Sequence, residues 1–201
     1  MKHLLFSEHQ KMAELIHTNY RLLFVLPRFG IRLGFGEKSV GDICRTHDLS
    51  TSLFLLVCHI YTFDDFLPSP DQLDSFTAEE LTCYLHRSHT DYLDNQIPEI
   101  RQQVLALAAG CEARNGRILE RFFDDYSREV ISHFNYEDTV VFPYIHNLSE
   151  GRLSDEGYSI GQFEENHSNI EEKLGDLKNI LIKYLPDSLP EASRNRLLLN
   201  L

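Results

Sequence analysis

The chain has 201 residues, 19 basic against 31 acidic, for a formal net charge of −12. That negative surplus repels phosphate backbones and anionic lipid, so direct nucleic-acid binding by this chain is not expected. The length is enough for a buried core, but no apolar run reaches the ~20 residues of a membrane span, and the opening MKHLLFSEHQKMAEL turns polar too early for a signal peptide; the expectation is a cytoplasmic protein away from membranes.

Residues 1–74 read as a small helical unit divided by the glycine-rich GIRLGFGEKS and closed by LPSPDQLDS, a linker by composition. Within it, SVGDICRTHDLSTSLFLLVCHIY has the outline of two helices joined by a turn, as in a DNA-reading helix-turn-helix. The helix that would enter the groove, TSLFLLVCHIY after Ser50, has no Lys or Arg, and core packing is the expected role. Cys44, Cys58, Cys83 and Cys111 are scattered without a CxxC, which predicts reduced, mostly buried thiols rather than disulfides or a zinc site.

From Thr77 the sequence turns to long helices. The first opens with Thr77 and Glu80 at capping-box spacing, is interrupted by Pro98, which should kink it, and stops at Gly110. The second runs from about Asn115 to about His146, and the third from Ser154 to about Tyr184, before Pro186. Each is ~45 Å long at 1.5 Å per residue, a bundle length. A fourth starts at a capping-box pair, Ser188 and Glu191, and stops at Leu201 in the middle of an apolar face, so the chain reads as cut short from a longer parent. The expected architecture is all-α: a small helical domain over 1–74 and a helical bundle over 75–201, incomplete at its C-terminal end.

Five residues are candidate metal ligands: His86 and His89 on the first long helix, His133 and Glu137 on the second, and His167 on the third. At 100° per residue Glu137 lies only about 40° round the helix from His133, whereas Asp138 lies about 140° away, so Glu137 is the carboxylate that goes with His133. Imidazole and carboxylate suit iron, manganese and zinc, and a carboxylate has two oxygens with which to bridge two ions. The other histidines, His59 among them, lack a partner at ligand spacing and read as surface or satisfied core. Glu171 opens a solvated acidic run. Nothing resembles a nucleophile–base pair, a phosphate loop or a dinucleotide fingerprint.

HFNYEDTVVFP resembles the H-x-x-x-E…F-P signature of hemerythrin-like domains; LHRSHTDYLDNQIPEI resembles the family's first-helix histidine motif and FEENHSNIEEKL its third-helix E-x-H. The resemblance implies an up-down four-helix bundle holding two non-haem irons, with His133 and His167 as terminal ligands, Glu137 as the bridging carboxylate and His89, or in competition His86, as the first-helix ligand. Upstream, FGEKSVGDICRTHDLSTSLF is similar to the short domain that precedes such bundles in proteins repairing iron centres under nitrosative stress. The implied roles are binding or sensing O2 or NO, or handling iron; the alternatives are the input module of a longer protein with an output domain, or a metal-free interaction bundle. Three features depart from the family: the fourth-helix H-x-x-x-E is absent, Cys111 stands where some members place a histidine, and Cys58 is alone. With the fourth helix incomplete, the site is expected to be empty or partly occupied. The exposed groove is expected to form a homodimer through Leu197, Leu198, Leu199 and the helix faces around the ligands.

Overall fold

The computed structural model describes residues 6–152 and 160–201, with side chains described over 6–152 and 170–201. Among the described residues the regular elements are helical, and extended pairing is confined to an isolated bridge between Lys11 and Ser39. Contacts divide the chain into Met1–Ser88 and His89–Leu201. Among the described residues no helix is long and apolar enough to cross a membrane.

The first unit contains α1 (Met12–Thr18), two 3-10 turns (Tyr20–Phe24 and Pro27–Phe29), α2 (Val40–Thr46), α3 (Thr51–Thr62), α4 (Pro70–Leu73) and most of α5 (Ala78–Asp91). Helix starts are set by side chains that satisfy the first free N–H groups. Ser39 and Asp42 form a capping box at α2, and Ser50 caps α3. The box predicted for α5 forms: Glu80 N–H donates to Thr77 Oγ1 at 3.1 Å and Thr77 N–H to the Glu80 carboxylate at 2.7 Å. The cation-free helix α3 buries Leu53, Phe54, Val57 and Cys58 in one core with Met12, Leu15, Leu22 and Val25, the packing role expected of it. Burial pushes the Cys44 and Cys58 thiols up, which keeps them unreactive. Cys83 is exposed and Cys111 half-buried, so the expectation of mostly buried thiols holds for two of them only.

His59 is a satisfied core histidine, 3% exposed. Its Nδ1 lies 2.7 Å from the Leu55 carbonyl, and the Phe6 N–H donates to Nε2 at 2.8 Å. One ring nitrogen therefore carries a proton and the other accepts one, the neutral form. Burial lowers its pKa below 6.5, against the opposing pull of the Leu55 carbonyl. The unfolded chain then takes up a proton near pH 6.5 that the folded chain resists, so stability is full above that pH and declines below it, by at most about 1.4 kcal/mol per pH unit. Thermal melts between pH 7.5 and 5 are expected to show this decline, and His59→Gln, with no proton to gain, to show a flatter profile.

The second unit is built from the end of α5, α6 (Ile97–Ala108), α7 (Ala113–Tyr136), α8 (Phe142–Ser149), α9 (Ile160–Lys183) and α10 (Glu191–Asn200). Its core gathers Ile100, Val104, Leu107, Leu119, Phe123, Leu177, Leu181 and Leu197. On α7, Leu119, Phe123, Tyr126 and Val130 recur at three- and four-residue steps, one stripe of the helix. An Arg101–Asp124 ion pair ties α6 to α7, and Lys173 reaches Glu129 at 2.6 Å to tie α9 to α7. The α6–α7 hairpin closes at Gly116, where an added Cβ would stand 2.6 Å from the Ala108 carbonyl oxygen. Gly116→Ala, a change that favours an exposed helix by about 1 kcal/mol, is therefore expected to destabilise by about 1–3 kcal/mol through overpacking, as measured by denaturant titration.

Three local features differ from the sequence reading. The interruption at Pro98 is not a simple kink but a π-turn, Tyr92–Gln96, and a second π-turn, Glu137–Val141, precedes Phe142 and Pro143 in the run predicted to be continuous. Proline lacks an N–H and its ring collides with the carbonyl four residues back; widening the turn to i→i+5 bonding relieves both problems. The third feature is α10, which starts at Glu191 after Pro190 with no side-chain capping bond, so the predicted Ser188–Glu191 box is not formed. The predicted open groove is also corrected. Leu197 is fully buried and Leu198 partly buried in the unit's own core, where α10 packs on α6 and α9, and only Leu199 points outward, 86% exposed. The homodimer expectation loses most of the face on which it rested.

Candidate metal centre

His89 sits at the C-terminal end of α5, one turn before the first π-turn, and is 6% exposed. The Phe134 ring stacks on its imidazole at 4.0 Å and 8°, and the Phe142 ring at 5.6 Å and 17°. The edges of the imidazole meet carboxylates from the second π-turn: Nε2 is 2.9 Å from Glu137 Oε2, and Nδ1 is 3.0 Å from Asp138 Oδ1. One turn before Glu137 on α7, His133 places Nε2 3.4 Å from the other Glu137 oxygen, Oε1. A single carboxylate, 7% exposed, is thus shared by two imidazoles from separate helices.

Burial by itself pushes the Glu137 carboxyl up, but hydrogen bonds from His133 and His89 and the attraction of those rings override it and bring the pKa down to about 2. The carboxylate is ionised throughout the neutral range. Next to Phe134, Tyr92 meets the ring edge-on at 5.9 Å, and its hydroxyl is 3.1 Å from that of Tyr126. Burial, with Tyr92 next to it, pushes the Tyr126 hydroxyl up, so it stays protonated.

Two imidazole nitrogens facing both oxygens of one buried carboxylate is a donor set that fits iron, manganese or zinc. Among the described residues no group of three or more His, Cys, Asp or Glu side chains is set out to hold an ion. The distances around Glu137 are those of hydrogen bonds between the donors themselves.

The family description that matches this chain is the hemerythrin HHE cation binding domain, over residues 85–201. The chain belongs to the hemerythrin HHE family. No curated protein and no solved structure matches it. The hemerythrin match takes in all three motifs and supports the all-α bundle; the upstream likeness to iron-repair proteins lies wholly outside it. Within the hemerythrin region the structure brings together His89, His133 and Glu137. His167 is on α9, and its side chain lies outside the described residues. His86 falls in the first unit and is exposed, and Glu171 is exposed, as expected for a solvated acidic run. Sequence reasoning missed Asp138, because the angular comparison measured it only against His133. The available signal is Pro143, which announces a disturbed turn before it without telling that the turn widens or that Asp138 meets His89.

Proposed function

We propose that this hemerythrin-family chain holds non-haem iron, as a di-iron centre when the ligand set is complete, and uses it to bind or sense O2 or NO. The observation that carries the reading is the shared Glu137 carboxylate, buried and ionised between His89 and His133 inside the region matched by the cation-binding family. His89 is preferred to His86 because it is the buried one and already faces Glu137. His167 is the expected third imidazole. It lies six residues before Lys173, about 9 Å of helix, while His133 lies four residues past the Glu129 that Lys173 pairs with, so in an antiparallel pair the two come to nearly the same level.

Each residue has a distinct task in this reading. Glu137 presents two negatively charged oxygens without a pH-dependent switch in the neutral range. Phe134 and Phe142 keep bulk water from the His89 ring. The Tyr92–Tyr126 pair places two hydroxyls next to this apolar wall. A bound iron centre supplies the affinity for a diatomic gas that protein side chains lack. Iron handling for damaged centres is the alternative use of the same ligands. The test is an anaerobic ferrous-iron titration with metal analysis, followed by absorption spectra with and without O2 and NO. Retained iron with a gas-dependent spectrum is expected; a chain that retains no iron would be the metal-free interaction bundle instead.

A further inference from the structure

We propose that Asp138 is a positioning residue for His89, holding the imidazole by Nδ1 so that Nε2 is presented beside Glu137. The proposal rests on the reading of His89 as a metal ligand through Nε2. Its ground is the geometry of the ring. Nε2 is the convergent edge, because it meets the Glu137 carboxylate that His133 also meets; Nδ1 faces away from that point and lies 3.0 Å from Asp138 Oδ1.

Glu137 and Asp138 are successive residues of the second π-turn and leave it in different directions. They can meet two edges of one ring. His89 comes from another helix, 49 residues earlier, and stands with a carboxylate at each nitrogen. With Phe134 stacked on it, the ring has neither edge nor stacked face left to choose its own rotation. When a metal takes the Nε2 lone pair, a carboxylate on Nδ1 holds the remaining proton, orients the ring and raises the donor strength of Nε2, and loss of such a partner typically costs 10–100-fold in metal affinity. In this account Asp138 acts on the candidate centre through His89.

Two measurements decide it. In metal-free protein with 15N-labelled histidine, the His89 Nδ1–H is expected to give a slowly exchanging resonance in the wild type, to persist in Asp138→Asn, whose amide oxygen still accepts, and to vanish in Asp138→Ala. Anaerobic titration with ferrous iron against a competing chelator is expected to show a 10–100-fold weaker affinity for Asp138→Ala and a smaller loss for Asp138→Asn. Equal affinities in wild type and Asp138→Ala overturn the proposal. So does an affinity loss with the ring resonance unchanged, which would mark a charge effect without positioning. If the wild type binds no iron, the functional reading fails, and the resonance still decides whether Asp138 holds the ring. If Asp138→Ala does not fold, Asp138→Asn and Asp138→Glu carry the same comparison.

Discussion

Glu137→Ala is expected to remove measurable iron binding, an affinity loss of about 100-fold or more, since even a partner of a ligand is worth 10–100-fold and Glu137 faces both imidazoles directly. The same change should destabilise the metal-free chain by about 1–3 kcal/mol, because the buried His89 ring and the half-buried His133 ring lose the acceptor they were folded around. Glu137→Gln separates the two effects. It keeps the volume and one acceptor oxygen but neither the charge nor the second acceptor, so most of the stability should survive while iron binding does not. Metal analysis after anaerobic loading and thermal melts of the metal-free variants are the measurements. Iron binding by Glu137→Ala within a few-fold of wild type would remove Glu137 from the centre, and with it the bridging role.

Much of this arrangement could be read from the sequence, and the parts that could not have physical reasons. The pairing of His133 with Glu137 follows from a rotation of about 40° on a regular helix, and α7 remains regular up to Tyr136, so the argument held where it was applied. The partner of Asp138 comes from a different helix, and no rotation within α7 could reveal it. Pro98 and Pro143 announce that something must give in the preceding turn, but not whether the helix bends or widens; that depends on what packs around the turn. The Ser188–Glu191 pattern failed for a simpler reason. Pro190 takes the N-cap position itself, with φ −59° and ψ 116°, so the helix begins two residues later than the serine could cap. In the first unit the absence of Lys and Arg from α3 agrees with its packing, since the helix buries Phe54 and Cys58 completely.

Leu197→Ala is expected to cost about 2–5 kcal/mol in unfolding free energy, while Leu199→Ala should lie within about 0.5 kcal/mol of wild type. The apolar triplet at 197–199 suggested one continuous sticky face, but successive helical residues point about 100° apart, so three leucines in a row cannot share a direction. The structure assigns them separately: Leu197 is fully buried beside Leu177 and Leu181, Leu198 is partly buried, and Leu199 faces outward. Truncating Leu197 leaves a void among α6, α9 and α10 that their backbones cannot close without moving, whereas truncating Leu199 removes a side chain that already contacts water. Denaturant titrations of the two variants, with light scattering at the same concentrations, test both halves of the argument. A large loss for Leu199→Ala that depends on protein concentration would show that this leucine is covered by a second copy, and would restore the dimer that the burial of Leu197 argues against.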